Sequence, residues 1–116
     1  MNDFEGLPFP PDAPAKGACV RIERPEPGLV VVVLDSPHRS LAVLDAPLLR
    51  DLAVVVEELR LDSSLRGVVF TGRTPEQFAA GADVRAIADV EDPAEVEDLV
   101  RIVHRLFDSI AALKVT

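Results

Sequence analysis

The sequence predicts an α/β chain, in which strands and helices follow one another within a single domain. Three observations point to this class: a segment in which apolar and polar residues alternate, mostly apolar runs at 29–35 and 67–72, and two long segments with apolar residues three and four positions apart. Continuous apolar runs are typical of strands covered on both faces, and the three-and-four spacing is typical of amphipathic helices. The predicted order is strand, strand, helix, strand, short helix, long helix.

The first two strands are predicted to form a hairpin. In the segment 19–25, Val20 and Ile22 fall on one face while Arg21 and Glu23 fall on the other, which indicates a half-buried strand. A turn of glutamate, proline and glycine follows, in which proline presets one backbone angle and glycine is free to adopt a positive one. The β-branched run that comes next then pairs with the first strand as its neighbour in sequence.

The first helix is predicted to begin after Asp45. An aspartate accepts hydrogen bonds from the free N–H groups of a first helical turn, and Pro47 is tolerated in that turn. The apolar positions then recur at Leu48, Leu49, Leu52, Val55, Val56 and Leu59. The helix is predicted to end in the loop 61–66, and the strand 67–72 follows it as a short buried strand.

The last segment is predicted to be a short helix at 84–90 followed by a long amphipathic helix. Asp92, Pro93 and Glu95 provide a cap residue, a first-turn proline and an acid three positions after the cap, which is a capping-box arrangement. The apolar positions behind this cap are Val96, Leu99, Val100, Val103, Leu106, Phe107, Ile110 and Leu113.

Composition limits both the domain count and the partners. A chain of 116 residues buries about two thirds of its unfolded surface, so one domain needs neither disulfides nor a metal. Four of the 10 prolines lie in the first 17 residues, so residues 1–17 are predicted to be a Pro-rich N-terminal arm and residues 18–116 the domain. The net charge of -8, spread along the chain, disfavours nucleic acid and anionic membranes. With one cysteine, no transmembrane run and no signal-peptide pattern, the cytoplasm is expected.

The segment FAAGAD, at 78–83, places four small residues together between a predicted strand and a predicted helix. Small side chains let a ligand reach main-chain N–H groups, and the N–H groups at a helix start are oriented toward negative charge. Such a segment could therefore stabilise an oxyanion without any group that titrates. The alternative is a tight packing junction, in which the small residues only allow a helix to approach the sheet.

The segment GVVFTGRTPEQFAAGADVRAI, at 67–87, resembles the crotonase superfamily, the enoyl-CoA hydratases and isomerases. In that family a short buried strand ends in a Thr-Gly turn and leads into F-x-A-G-A-D before a helix. The hairpin, the first helix and the long helix ending in FDSIAALK also occur in the family's order, so the resemblance covers 18–116. It is similar above all to the hydratase portion of fatty-acid oxidation multienzyme subunits. It implies the beginning of a crotonase-type ββα spiral, incomplete within this chain.

The resemblance implies an acyl-CoA site around the small residues. The N–H of Ala82 matches one of the two donors that form the family's oxyanion hole for the thioester carbonyl. Backbone that lies against the adenine and pantetheine ends of coenzyme A is matched by Ala80, Gly81, Asp83 and Val84. Arg85 matches a basic or polar position near the ligand, with an exposed helix charge as the alternative. Leu41 matches a loop position that touches coenzyme A, with simple packing as the alternative.

Two positions depart from the family pattern, and part of the family's machinery is not matched. Ala42 stands where the family commonly has an asparagine, and the proline that often follows Lys114 is replaced by valine. The second oxyanion donor and the catalytic glutamates belong to a later strand, a Gly-rich turn and the helices after it. The resemblance therefore implies the N-terminal half of an enoyl-CoA hydratase, inactive as an isolated chain, that forms trimers or hexamers in full-length form. Coenzyme A would enter as part of the substrate, without a further cofactor.

Other candidate residues do not assemble a site in the sequence. The acids that begin the long helix favour the helix dipole and are expected to form a solvated face. His38 and His104 have no partner at metal-ligand spacing, and Cys19 has nothing nearby that would lower its pKa. Isomerase, dehalogenase and decarboxylase chemistry remain open alternatives, since the superfamily performs them with the same oxyanion hole. A non-catalytic signalling module, phosphorylated in the DSS segment at 62–64, is a further alternative, although the helix-to-strand order there favours a helix-terminating loop.

Overall fold

A computed structural model describes residues 4, 9, 11–79, 81 and 92–115. Within that part of the chain the elements are β1 (Val20–Glu26), β2 (Leu29–Leu34), α1 (Ala46–Leu61), β3 (Gly67–Gly72) and α2 (Pro93–Ala111). The strands form one mixed sheet in the order β1-β2-β3, with β1 antiparallel and β3 parallel to β2. This arrangement confirms the predicted α/β class and the order of the elements. The short helix predicted at 84–90 lies outside the described residues.

The predicted hairpin is confirmed, and its turn also holds the start of β3. Gly28 has a φ of 83°, which the third position of a type II turn requires after a proline. The carbonyl oxygen of Gly28 accepts hydrogen bonds from the N–H groups of Arg66 and Gly67, at 2.7 and 3.1 Å. One turn therefore joins the antiparallel pair to the parallel strand.

The strands differ in how deeply they are covered. Val30 and Val32 of β2 are fully buried, as the continuous apolar run predicts. The expectation of a buried β3 is wrong in part, because Val69 is 48% exposed. In the described sheet β3 pairs on one side only, with β2, so its outward face and outer edge lack the cover that the central strand has.

Helix α1 supplies more of the buried apolar core than any other described element. Asp45 is its N-cap, as predicted, and its carboxylate accepts a hydrogen bond from the N–H of Leu48 at 3.1 Å. Burial of one large aliphatic side chain contributes about 1.5–3 kcal/mol, so this apolar stripe is the main stabilising surface of the described chain. Its buried apolar residues are Leu48, Leu49, Leu52, Ala53, Val55, Val56 and Leu59.

Helix α2 begins at the predicted cap but differs in two details. The carboxylate of Asp92 accepts from the N–H of Ala94 at 2.9 Å, one position earlier than the capping box requires. The predicted apolar face is also only partly covered by the described residues. Leu106 packs into the core at 4% exposure, whereas Val100 and Phe107 remain 45% and 43% exposed.

The segment before β1 contacts α1 at several points. Phe4 is 2% exposed and lines a small cavity between α1 and α2 with Ala53 and Leu106. The ring of Phe9 lies 5.1 Å from the guanidinium carbon of Arg50, a cation–π distance. Phe4 and Phe9 of the predicted arm are therefore packed on the domain, and the boundary of the arm at residue 17 stays a prediction.

The buried carboxylate of Asp51 connects that segment to α1. It accepts hydrogen bonds from the N–H of Gly17 at 2.9 Å, from the N–H of Cys19 at 3.0 Å and from Nε of Arg50 at 2.8 Å. Burial alone would raise the pKa of Asp51, but these three hydrogen bonds outweigh it and lower the pKa. Cys19 lies just before β1 and is fully buried. Its burial, followed by the charges of Asp51 and Asp45, raises the pKa of the thiol to about 12.

Candidate functional site

Two segments that the family resemblance connects to coenzyme A meet in the structure. The N–H of Leu44, in the loop before α1, donates to the carbonyl oxygen of Gly81 at 2.7 Å. The predicted positions Leu41 and Gly81 thus belong to segments joined by one short backbone hydrogen bond. We call the contact between the loop 36–44 and Gly81 the loop–glycine junction.

Gly81 has a backbone conformation that favours glycine. Its φ is 89°, in a region that residues with a Cβ rarely adopt. A Cβ built there would meet no heavy atom within 4 Å, and Gly81 itself is exposed. In contrast to the packing alternative, Gly81 is thus not pressed against neighbouring described atoms. Ala79, two positions earlier, does pack against the core.

The remaining predicted site residues are divided between described and undescribed parts of the chain. Leu41 is half-buried in the loop, and its contact with coenzyme A stays a prediction. The predicted oxyanion donor and most of the predicted coenzyme A contacts lie outside the described residues; they are Ala80, Ala82, Asp83, Val84 and Arg85.

Asp45 organises the loop side of the junction. Besides capping α1, its Oδ2 atom accepts from Nε of Arg39 at 2.8 Å and lies 2.8 Å from Nε2 of His38. The side chains of Asp45 and His38 are 0% and 7% exposed, so this pair is shielded from water. A hydrogen bond to an ionised partner contributes about 1.5–3 kcal/mol, so the contacts of Asp45 stabilise this conformation of the loop.

Ala42, the loop position that departs from the family pattern, contributes no side-chain hydrogen bond to this loop. Ala42 is buried at 5% exposure and its side chain has no hydrogen-bonding group. Sequence reasoning identified Asp45 only as a helix cap and missed its bonds to His38 and Arg39. It also missed Arg73, which follows β3 directly and donates to the same loop. The sequence shows only that charged residues are frequent on both sides of the loop, and that frequency does not predict which of them form hydrogen bonds with each other.

The backbone after β3 folds closely back on the strand end. A Cβ added to Gly72 would lie 1.6 Å from the carbonyl oxygen of Gln77, which no side chain permits. Thr74 and Gln77 form an isolated antiparallel bridge in this turn. Glycine at this position therefore lets the chain turn within a few residues from the sheet toward Gly81.

The acids at the start of α2 do not form a catalytic pair. Glu97 and Asp98 are 72% and 67% exposed and both bind Arg101 on the helix surface. Glu95 is also exposed, so the predicted solvated face is confirmed. Among the described residues no group of histidine, cysteine and acidic side chains has the arrangement of a metal site. No helix in the described ranges has the length and apolarity required to cross a membrane.

Comparison with known proteins places this geometry in context. Residues 24–115 match the enoyl-CoA hydratase/isomerase family. The chain is 33% identical over 88 residues to the fatty acid oxidation complex subunit alpha of Idiomarina loihiensis, a match that covers 76% of this chain and 12% of that protein.

Solved structures show the same fold. The enoyl-CoA hydratase from Bacillus anthracis superposes with a TM-score of 0.70 at 22% identity, over 82% of this chain and 36% of that one. Pseudomonas aeruginosa DspI superposes with a TM-score of 0.73 at 21% identity, over 92% and 39%. This chain thus corresponds to well under half of each of those proteins.

The sheet order β1-β2-β3 and the crossover helix α1 match those structures, so the chain has the crotonase fold. The sequence match is more specific, and the chain belongs to the enoyl-CoA hydratase/isomerase family. The signalling-module alternative finds no support in these comparisons. Instead, Ser64 donates through its N–H and hydroxyl to the carboxylate of Asp62, as expected for a loop that ends a helix.

Proposed function

We propose that this chain contributes one half of an oxyanion hole to an enoyl-CoA hydratase, with the N–H of Ala82 as the donor. The observation that carries the proposal is the 2.7 Å hydrogen bond from the N–H of Leu44 to the carbonyl oxygen of Gly81. That oxygen belongs to the peptide unit that Gly81 shares with Ala82, so the bond acts on the same planar group as the proposed donor.

Peptide geometry supports this role. In a trans peptide the C=O and N–H groups point in opposite directions, so fixing one fixes the other. A hydrogen bond accepted by the carbonyl also polarises the unit and strengthens its N–H as a donor. No described atom outside its immediate chain neighbours lies within 4 Å of a Cβ position at Gly81, which is compatible with the approach of a thioester.

In the proposed reaction, water adds across the double bond of a 2-enoyl-CoA thioester. The hydroxyl group bonds to the β-carbon, and negative charge moves through the α-carbon to the thioester oxygen, forming an enolate. The N–H of Ala82 stabilises that oxygen by about 3 kcal/mol, the value of one such donor. A proton then adds to the α-carbon, and glutamates other than the exposed Glu95 and Glu97 perform the proton transfers.

The proposed ligand is the acyl-CoA thioester itself, with Leu41 and the backbone around Gly81 along its coenzyme A portion. The name of the Idiomarina relative, a fatty acid oxidation subunit, supports an acyl substrate. Coenzyme A enters as part of the substrate, and no separate cofactor is proposed. We further propose a cytoplasmic homo-oligomer, a trimer or a hexamer, and no nucleic-acid partner because the net charge is -8.

A substitution at residue 82 tests the proposal in the full-length protein, meaning this chain with any sequence that adjoins it. Ala82→Pro removes the N–H, so kcat for crotonyl-CoA should fall about a hundredfold or more while affinity for coenzyme A changes much less. Ala82→Ser is the matched control, since it keeps both the N–H and a small side chain. Equal losses of kcat and affinity in the proline variant would favour the packing alternative. The 116-residue chain alone is expected to be inactive, and hydration by it would contradict the placement of the proton-transfer groups elsewhere.

A further inference from the structure

Arg73 makes more contacts with the loop 36–44 than any role as a surface charge requires. Its Nε donates to the carboxylate of Asp35, at the end of β2. Its Nη2 donates to the carbonyl oxygens of Ser36 and Arg39, and its Nη1 to that of Ser40 at 3.3 Å. One guanidinium thus joins the end of β3 to three carbonyl groups of the loop.

This pattern depends on the shape of the guanidinium group. Arginine presents five N–H donors in a rigid planar fork, whereas lysine presents a single ammonium group on a flexible stem. The carboxylate of Asp35 accepts a hydrogen bond from the same guanidinium group. Hydrogen bonding from Arg73, which exceeds the opposing effect of burial, lowers the pKa of Asp35, so the carboxylate stays ionised at neutral pH.

The carbonyl groups that Arg73 contacts and the loop–glycine junction lie on the same short segment, the loop 36–44. The last carbonyl that Arg73 holds belongs to Ser40, whose peptide unit continues into Leu41. Three residues further on, the N–H of Leu44 holds the carbonyl of Gly81. Moving the loop carbonyls would therefore move both the predicted coenzyme A contact and the donor that orients the peptide after Gly81.

We propose that Arg73 is a positioning residue for acyl-CoA recognition, because its fork fixes the loop that presents Leu41 and holds Gly81. This inference rests on the proposed function, since it concerns the binding of the same thioester. Arg73 itself acts through the loop and contacts no reacting atom.

The chain provides a matched control in Arg21. Its Nη1 donates to the other oxygen of the same carboxylate, Asp35, at 2.7 Å. Arg21 lies on β1, and the contacts described for it include no loop carbonyl. Arg21→Gln and Arg73→Gln therefore remove the same charge beside the same acid, and only the second removes the fork.

The experiment compares Arg73→Gln, Arg73→Lys and Arg21→Gln in the full-length protein. Amide hydrogen exchange at Leu44 reports the loop without any ligand, and calorimetric titration with crotonyl-CoA reports recognition. Both Arg73 variants should speed exchange at Leu44 about tenfold and weaken crotonyl-CoA binding about five- to tenfold, since tenfold corresponds to about 1.4 kcal/mol. Arg21→Gln should change each quantity by less than about twofold. Urea unfolding separates these effects from a loss of global stability.

The results test two claims, the positioning of the loop by Arg73 and the recognition of crotonyl-CoA. Wild-type exchange at Leu44 in Arg73→Gln contradicts the positioning role, whether or not a ligand binds. Wild-type behaviour of Arg73→Lys, or an equal effect of Arg21→Gln, shows that charge beside Asp35 is sufficient and overturns the role of the fork. A wild-type protein that does not bind crotonyl-CoA contradicts the proposed function and the recognition half of this inference, and the exchange data then decide the role of Arg73 in the loop.

Discussion

Two buried aspartates near the start of α1 use the same chemistry on different parts of the chain. Asp45 holds the side chains of His38 and Arg39, in the loop of the loop–glycine junction. Asp51, one and a half turns further along, holds the backbone N–H groups of Gly17 and Cys19, before β1. The carboxylate of Asp45 therefore holds the loop of the candidate site, and the carboxylate of Asp51 holds the segment that leads into β1.

The comparison separates residues that position a site from residues that maintain the fold. The bonds of Asp45 lie on the segment that holds Gly81, so disturbing them should alter ligand binding as well as stability. The bonds of Asp51 lie on a segment with no predicted ligand contact, so disturbing them should alter stability alone. The predictions below test this separation.

The largest expected effect is that of Asp51→Ala. The substitution removes the ion-pair partner of Arg50, whose side chain is 7% exposed, and the acceptor of the N–H groups of Gly17 and Cys19. Loss of one partner from a buried ion pair costs about 3–5 kcal/mol. Urea unfolding measures the cost. Alkylation of Cys19, fully buried in the wild type, should become faster in the variant. A variant that unfolds like the wild type would show that these bonds have no net stabilising effect.

The next effect is that of Asp45→Ala. Loss of the helix cap costs about 1 kcal/mol, and loss of the contacts with His38 and Arg39 adds about 1–2 kcal/mol. In addition, crotonyl-CoA should bind several-fold more weakly under conditions in which the protein remains folded, which calorimetric titration can measure. If Asp51→Ala weakened binding by the same factor, the proposed separation between the two aspartates would fail.

A smaller effect is expected from two glycines with the same backbone geometry. Gly17 and Gly81 have φ values of 87° and 89°, and an added Cβ meets no atom within 4 Å at either. Alanine at either position should cost about 1–2 kcal/mol of unfolding free energy through backbone strain. Only Gly81→Ala should also reduce kcat/KM for crotonyl-CoA, by about tenfold. Equal kinetic losses in Gly17→Ala would assign the defect to stability.

The smallest effect concerns pH. The pKa of Asp51 is lower in the folded chain than in the unfolded chain, so its ionised form stabilises the fold above the unfolded value of about 4. This contribution is lost as the pH falls from about 4 through the folded pKa. The stability of Asp51→Asn should therefore change less with pH in this window, measured by urea unfolding from pH 5 downward. Parallel curves for the two proteins would contradict the shift.

The elements of this fold follow from local pattern, and the contacts between them do not. Apolar spacing and the caps Asp45 and Asp92 predicted both helices, because those signals lie within a few residues of the element. The exposure of Val69 depends on which strand lies at the sheet edge, and the residues of a strand do not predict its position in the sheet. The Arg73–Asp35 bond joins residues 38 positions apart, so only the folded chain reveals it.

The candidate site shows the same limit. Spacing alone left the small residues of 78–83 open to two interpretations, and it was the family resemblance that distinguished them. The resemblance assigned Leu41 and Gly81 separately to coenzyme A, and the hydrogen bond that joins their segments, from Leu44 to Gly81, is visible only in the folded chain. The polar side chains that hold this loop in place, His38 and Arg73 among them, had no sequence signal beyond their polarity.

The tight turn at Gly72 has a consequence for the sequences this fold accepts. Because the space for a Cβ is occupied by the backbone carbonyl of Gln77, 1.6 Å away, repacking of side chains cannot create room. Random mutagenesis with selection for folded protein should therefore recover only glycine at this position, while Gly81, which has open space, should admit asparagine or alanine at a modest cost. Of these two glycines in the same stretch of chain, Gly72 restricts the sequence through the space around it, and Gly81 restricts it through its backbone conformation.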